Sequence, residues 1–207
     1  MLYGITAQGG VNSKGVLFQY NPATSNYTKK FDFDGTNTGA IPFGSLTMAQ
    51  DGMLYGLTNS GGLFNAGTLF QYNPVNSQFT KKHDFNHTNG SQPYNTLLLA
   101  SNGRLYGTTR DGGGNNQGVL FEYDPTTSVF TKKYDFTDFN GLGENGTRPY
   151  LSGLIEVAVT NIVSSPFSPS NICSGNSIDL NFPATGAFNR GNVFMAQLSD
   201  ATGSFTS

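Results

Sequence analysis

The phrase Leu-Tyr-Gly occurs three times, as Leu2-Tyr3-Gly4, Leu54-Tyr55-Gly56 and Leu105-Tyr106-Gly107, and a spacing of about fifty residues marks a tandem repeat. Short apolar runs punctuated by glycine at that period describe a unit too small to bury its own faces. Neighbouring copies must therefore cover one another. That requirement constrains the fold more than any single residue does.

Other phrases recur in fixed order. A Gly-Gly loop closed by a further glycine follows each Leu-Tyr-Gly: Gly9-Gly10 to Gly15, Gly61-Gly62 to Gly67, Gly112-Gly113 to Gly118. Glycine at fixed loop positions signals positive φ or close backbone approach. A Leu-Phe-x-Tyr strand follows at Leu17 to Tyr20, Leu69 to Tyr72 and Leu120 to Tyr123, ending in Asn21-Pro22, Asn73-Pro74 and Asp124-Pro125, which open turns. A third strand reads aromatic-Thr-Lys-Lys-aromatic-Asp-Phe at Tyr27 to Phe33 and Phe130 to Phe136, with His83 in the second aromatic place of Phe79 to Phe85. A fourth is expected near Phe43 to Ala49, Tyr94 to Ala100 and Tyr150 to Val157. Asp51-Gly52 and Asn102-Gly103 are hairpin signals joining a fourth strand to the next Leu-Tyr-Gly strand.

Large apolar residues stand on consecutive strand positions, as in Leu97-Leu98-Leu99, so both sheet faces are expected to be covered. The fold class is all-β: a partial β-propeller of about three four-stranded antiparallel blades, with copies at about 1–49, 50–100 and 101–157. A parallel β-helix fits less well, because its coils are shorter and the Asp-Gly hairpins oppose it.

Leu-Tyr-Gly-x-Thr, Gly-Gly, Gly-x-Leu-Phe, aromatic-Asp-Phe and a Gly-to-Pro loop, in that order, resemble the bacterial GloVer repeat over residues 1–157. The resemblance implies an exported or cell-surface bacterial protein with many tandem repeats, often followed by sorting or anchoring regions, and it brings no established reaction. No catalytic residue carries over. Residues 158–177, with Pro166 and Pro169 among Ser and Asn, read as a linker. Residues 178–207 alternate like strands, and with Asn171 to Ser177 they resemble the opening of an Ig-like module of bacterial surface proteins. A complete sandwich of that kind needs about 100 residues, so this segment is expected to be a truncated β-sandwich. Met1 stands where Met53 or Arg104 precedes the same strand, which suggests a fragment whose exposed faces await the remaining repeats of a longer chain.

Only 12% of residues are charged and the net charge is −2, so no broad basic surface invites nucleic acid. No apolar run is long enough for a membrane-spanning helix. Secreted or cell-surface localisation is what the resemblance implies, with no signal peptide in the sequence itself. Lys29-Lys30, Lys81-Lys82 and Lys132-Lys133 would align between neighbouring blades as a basic ladder for an anionic glycan. The competing reading makes them solvated charges paired with Asp32, Asp84 and Asp135. Tyr3, Gly4, Tyr55, Gly56, Tyr106 and Gly107 read as structural repeat positions.

Chemistry-bearing constellations are sparse. The single cysteine, Cys173, allows neither an intramolecular disulfide nor a Cys-based metal site. His83 and His87 have helical metal-ligand spacing but fall on a strand running into a loop, and His83 replaces Phe31 and Tyr134 as a planar packing residue. Asp32-Phe33-Asp34-Gly35-Thr36-Asn37 and Asp138-Phe139-Asn140-Gly141 offer oxygen ligands that calcium accepts, yet neither has the twelve-residue EF-hand pattern, and Asx-rich turns also explain them. Asn26, Asn86, Asn89 and Asn145 begin glycosylation-type triplets, read as ordinary loop residues given a bacterial origin. No catalytic, cofactor-binding or metal site is assigned.

Two function classes follow. The favoured one is a non-enzymatic extracellular or cell-surface scaffold or recognition module, with carbohydrate or a cell-surface protein as partner through loop tyrosines and asparagines. The alternative is part of a glycan-processing enzyme, for which Asp111 and Glu122 could pair across blades.

Overall fold

The computed structural model describes residues 1–137, 146–150 and 153–157. The chain divides into a unit Met1–Glu156 and a unit Val157–Ser207, and the architecture below is that of the first. The linker at 158–177, the Ig-like segment at 178–207, Cys173 and the loop Asp138 to Gly141 lie outside the described residues.

Among the described residues the fold is all-β: eleven strands in three antiparallel sheets and no helix. β1 (Leu2–Thr6), β2 (Val16–Asn21) and β3 (Asn26–Asp32) form the first sheet. β4 (Thr47–Met48), β5 (Leu54–Thr58), β6 (Thr68–Asn73) and β7 (Gln78–Asp84) form the second. β8 (Leu98–Leu99), β9 (Leu105–Thr108), β10 (Val119–Asp124) and β11 (Val129–Asp135) form the third.

The sheets are offset from the sequence copies. The Asp51-Gly52 turn closes a hairpin in which Ala49 N donates to Met53 O at 3.0 Å, so β4 joins the Leu-Tyr-Gly strand that follows it and supplies the next sheet. β4 and β8 are two residues long, shorter than the expected runs. The strand expected at Tyr150 to Val157 is not formed in its described part: Tyr150 and residues 153–157 carry no strand. The physical reason is pairing. A fourth strand exists here only against a following Leu-Tyr-Gly strand, and no fourth such phrase occurs in the sequence. Glu156 is tied instead to Ser101, whose amide and hydroxyl donate to it at 2.8 and 2.6 Å.

The sheets stack face to face in chain order. Leu17 and Phe33 of the first meet Leu54, Phe70 and Tyr72 of the second in one buried cluster. Tyr55, Leu57, Leu69 and Phe85 of the second meet Leu105, Val119, Phe121 and Tyr123 of the third in another. Phe31 lies parallel to Phe79 with ring centroids 4.0 Å apart, and His83 takes the same place against Phe130 at 3.8 Å. Phe33, Phe70, Phe85 and Phe121 are fully buried, each worth about 2–3 kcal/mol relative to exposure.

The glycine of Leu-Tyr-Gly is explained by this packing. Gly56 pairs across the ladder with Phe70, whose ring lies flat over it, and a Cβ there would stand 2.5 Å from Phe70 Cζ. A second regularity lies in the outer strand. The ladder skips one residue between Leu17/Phe18, Leu69/Phe70 and Leu120/Phe121, leaving Lys30, Lys82 and Lys133 as β-bulge residues. Strand side chains alternate, so residues three apart normally face opposite ways. The extra residue returns Lys29 and Asp32, and their counterparts, to one side.

Candidate functional site

The strands present two ends with different chemistry. At the Gly-Gly loop end, Asp84 Oδ1 accepts the backbone N–H of Leu63 at 2.9 Å and Oδ2 lies 2.8 Å from Lys81 Nζ. The same construction joins Asp32 to Val11 N and Lys29, and Asp135 to Gly114 N and Lys132, with ion-pair distances of 2.6 and 2.7 Å. Lys29 and the Val11 amide hold the Asp32 carboxyl below its ordinary range. Of the expected basic ladder, Lys29, Lys81 and Lys132 are thus each engaged by a carboxylate of their own strand. Lys132 Nζ also donates to Thr88 O at 3.3 Å, and Lys133 approaches Glu122 at 3.7 Å.

The Gly-to-Pro loops at this end clamp one copy to the next. Ala40 and Ser60 exchange backbone hydrogen bonds of 2.7 and 3.1 Å, and Ser91 and Asp111 repeat the exchange at 2.8 and 3.1 Å. In each Gly-to-Pro loop, at the residue after proline, stands an aromatic: Phe43, Tyr94 and Tyr150. Phe43 stacks on Tyr94 with centroids 5.0 Å apart and planes 16° apart, and Tyr94 meets Tyr150 at 6.2 Å. Phe43 and Tyr150 are 49% and 50% exposed. The Arg110 guanidinium lies 5.8 Å from the Tyr150 ring centre and donates to Gln92 Oε1 at 3.1 Å. Beneath the row, Asn95 donates to Thr108 Oγ1 at 3.0 Å and to Pro149 O at 3.3 Å. Three equivalent rings from three Gly-to-Pro loops therefore form a continuous, partly solvent-facing aromatic row.

The opposite, hairpin end carries the tyrosines of Leu-Tyr-Gly. In the first sheet Gln19 donates to the Tyr3 hydroxyl at 3.0 Å. In the second Tyr55 donates to Asp51 Oδ2 at 2.8 Å and receives Gln71 Nε2 at 2.7 Å. In the third Tyr106 donates to Glu122 Oε2 at 2.7 Å and receives Asn102 Nδ2 at 2.9 Å, while Arg104 bonds the other Glu122 oxygen and approaches Asp124 at 3.8 Å. Burial, then the Asp51 hydrogen bond, push the Tyr55 hydroxyl well above its ordinary value. The Tyr106 hydroxyl bond lowers the Glu122 carboxyl, and Arg104 and Lys133 add to it against burial. Gln50, Asp51, Asn102, Arg104 and Asp124 line a shallow polar ledge between the second and third sheets.

Glu122 is opposite Tyr106 on β9, whereas Asp111 lies in the loop beyond the other end of that strand, beside Arg148 at 3.4 Å. The structure does not bring this acid pair together. His83 packs between Phe130 and Phe85 and accepts from Asn89 Nδ2 at 2.9 Å, and burial lowers its pKa. His87 takes positive φ and its carbonyl accepts Gly113 N, as the Gly35 carbonyl accepts Gly62 N. Asp34 is consumed locally: Oδ1 accepts the N–H groups of Asn37 and Thr38 at 2.8 and 3.0 Å, and against burial, which raises its pKa, these bonds together with those from the Asn37 and Thr38 side chains lower it. Among the described residues, no three His, Cys, Asp or Glu side chains gather in a metal-binding arrangement.

Sequence comparison now settles the family, because residues 1–163 match the Gloeobacter/Verrucomicrobia repeat. The chain belongs to that family. No curated relative matches it. In this Gloeobacter/Verrucomicrobia repeat chain, the aromatic row and the ledge show in the sequence only when the three copies are aligned. The row is visible in the sequence as an aromatic directly after proline in each Gly-to-Pro loop: Pro42-Phe43, Pro93-Tyr94 and Pro149-Tyr150. The ledge was visible as departures from the repeat pattern in the third copy: Arg104 for Met53, Asn102 for Asp51, Glu122 for Gln71 and Asp124 for Asn73.

Proposed function

We propose that this repeat chain is a non-enzymatic module of the bacterial cell exterior, its sheets serving as propeller blades, which binds extended carbohydrate along the row Phe43, Tyr94 and Tyr150. The single observation carrying this reading is that three copies place equivalent, mutually packed rings at one end, with the outer two half exposed. Ring faces and edges pack against the C–H surfaces of sugars, while the neighbouring Arg110 guanidinium offers hydrogen bonds to hydroxyls or an acidic sugar. A ligand that repeats suits a surface that repeats, because each added ring meets another unit of the same polymer. Lys29, Lys81 and Lys132 hold loops in this reading. The exported location rests on the family resemblance.

A glycan-cleaving site finds less support. A general acid needs a carboxyl raised toward neutrality, whereas Glu122 is lowered and surrounded by Arg104, Lys133 and the Tyr106 hydroxyl. The test is a glycan array followed by titration with the bound polysaccharide. Phe43→Ala and Tyr150→Ala should each weaken binding by about fivefold, an aromatic contact being worth about 1 kcal/mol, with no products released from the polymer. Binding unchanged in both variants, or turnover of the polymer, would sink the reading.

A further inference from the structure

At the hairpin rim the first two copies carry the same neutral side chains and the third does not. Met1, Gln19 and Asn21 recur as Met53, Gln71 and Asn73, whereas the third copy places Arg104, Glu122 and Asp124 there. Neutral groups serve the rim twice, so the fold does not require the charged set, and ion pairs at an exposed edge contribute little to stability. These departures converge on one place. Arg104 and Asp124 line the ledge between the second and third sheets, and Glu122 holds the Arg104 guanidinium. Both walls of the ledge belong to described sheets: Gln50 and Asp51 stand in the turn before β5, Arg104 immediately precedes β9 and Asp124 ends β10.

The lining groups keep unused hydrogen-bonding capacity of both kinds. Asp51 takes neutral donors, the Met53 amide at 3.0 Å and the Tyr55 hydroxyl at 2.8 Å. Asp124 spends Oδ1 on the Thr126 amide and hydroxyl at 2.9 and 2.6 Å. Its Oδ2 lies 3.8 Å from Arg104 Nη2, beyond hydrogen-bond distance. Arg104 Nη1 bonds Glu122 while the side chain stays 44% exposed, so further guanidinium N–H groups remain available. A Cβ at Gly103 would stand 3.3 Å from Gln50 Oε1, and glycine leaves that gap clear. The hollow measures about 230 Å³, below the ~300–1,000 Å³ of pockets that take drug-sized ligands, and suits one small ring.

We propose that this ledge binds one neutral sugar unit through adjacent hydroxyls, which donate to Asp51 and to Asp124 Oδ2 and accept from Arg104 and the Gln50 amide. A hydroxyl is donor and acceptor at once, and the ledge offers carboxylate acceptors beside guanidinium and amide donors. Charge selects against the other small ligands. A bare cation would sit beside the Arg104 guanidinium, and an anion beside the Asp51 and Asp124 carboxylates, each with like charges in contact. A neutral pair of hydroxyls meets neither penalty. The ledge lies at the opposite end of the strands from Phe43, Tyr94 and Tyr150, and this inference does not rest on binding at that row.

The decisive experiment uses the full 207-residue chain, labelled with nitrogen-15, and methyl glycosides of glucose, galactose and mannose as probes. Titration to about 100 mM detects even a dissociation constant on the order of 10 mM. The side-chain amide resonances of Gln50 and Asn102 and the Arg104 Nε–H should shift with at least one probe. Asp124→Asn, which restores the residue of the other copies, and Gln50→Ala should each weaken that binding by about fivefold or more, with backbone resonances elsewhere unchanged. Phe43→Ala should leave it unaltered, which separates this site from the aromatic row. Absence of shifts with every probe would overturn the proposal, as would binding that both ledge variants retain in full. The same shifts produced by calcium chloride without sugar would also overturn it, since that marks a cation site.

Discussion

The Gly-Gly loop end and the hairpin end of the same strands solve the same kind of problem in opposite ways. At the loop end, each copy uses one device: an aspartate that accepts a backbone N–H and pairs with the lysine three residues before it. At the hairpin end each copy satisfies its tyrosine hydroxyl differently, with Gln19 and the Pro74 carbonyl, with Asp51 and Gln71, or with Asn102 and Glu122. The difference separates positions dictated by backbone geometry from positions dictated by hydrogen-bond satisfaction. A backbone amide in a positive-φ loop has one place where an acceptor can stand. A phenol at the rim of a sheet needs some acceptor or donor, and several side chains can supply it.

The comparison breaks most readily at the loop end. Gly62 has φ +77°, and a Cβ there would stand 2.5 Å from Asp84 Oδ1. Gly62→Ala therefore combines left-handed strain with displacement of the carboxylate that holds the loop. Its expected cost is about 2–4 kcal/mol, read as a lower midpoint in urea unfolding. The equivalent change at Gly52, which has positive φ but nothing within 4 Å, should cost only about 1–2 kcal/mol. Equal costs at the two glycines would show that the aspartate staple contributes nothing beyond backbone conformation. Asp84→Ala comes next, at about 1–3 kcal/mol, because the Leu63 amide and the Lys81 ammonium lose their shared acceptor. Faster proteolysis within the loop between β5 and β6 should accompany it.

Much of this was legible in the sequence, and the unread part has a specific cause. The strand phrases gave three stacked all-β copies because their aromatic and glycine positions interlock: Gly56 exists for the ring of Phe70, and Phe31 for the ring of Phe79. His83 was readable as a packing residue because it stands in register with Phe31. The bulge at Lys30, Lys82 and Lys133 was not readable, since an unbroken strand and a bulged one share the same composition, and only the bulge puts Lys81 on the side of Asp84. Asp111 and Glu122 do not meet, because Glu122 stands opposite Tyr106 near the start of β9 while Asp111 lies in the loop beyond its end, a placement that the residue types alone do not show. The aromatic row escaped because Phe43, Tyr94 and Tyr150 are far apart in sequence and meet only through the loop clamps.

At the hairpin end the expected effects are smaller and depend on combination. Glu122→Gln restores the residue of the other copies but leaves Arg104 with its main partner removed, and should cost about 1–2 kcal/mol. Adding Arg104→Met, which restores the residue at Met53, should recover most of that loss, because the pair then matches the Gln71 and Met53 arrangement already present. Additive losses would mean that Glu122 and Arg104 act independently, contrary to their shared contact.

The smallest effect is the pH dependence of that same cluster. The Glu122 carboxyl is lowered in the folded chain, so its stabilisation is complete above the unfolded value of about 4.5 and disappears as pH falls through the lower folded value. Tyr106 is raised, first by its bond to Glu122, so its contribution holds below the ordinary tyrosine value and is lost as pH climbs through the raised one. Wild type should therefore exceed Glu122→Gln in stability by a margin that is flat near neutrality and shrinks on both sides. The acid limb should shrink below about pH 4.5, measured as the difference in urea midpoint across a pH series. Between Glu122→Gln and the Arg104→Met/Glu122→Gln double variant no acid limb should appear, because neither carries a carboxylate at position 122 to protonate, while the Asp32 staple, whose carboxyl is also lowered, gives both the same loss of stability at still lower pH. A margin that persists unchanged into strong acid would show that Glu122 acts through shape and not through its charge.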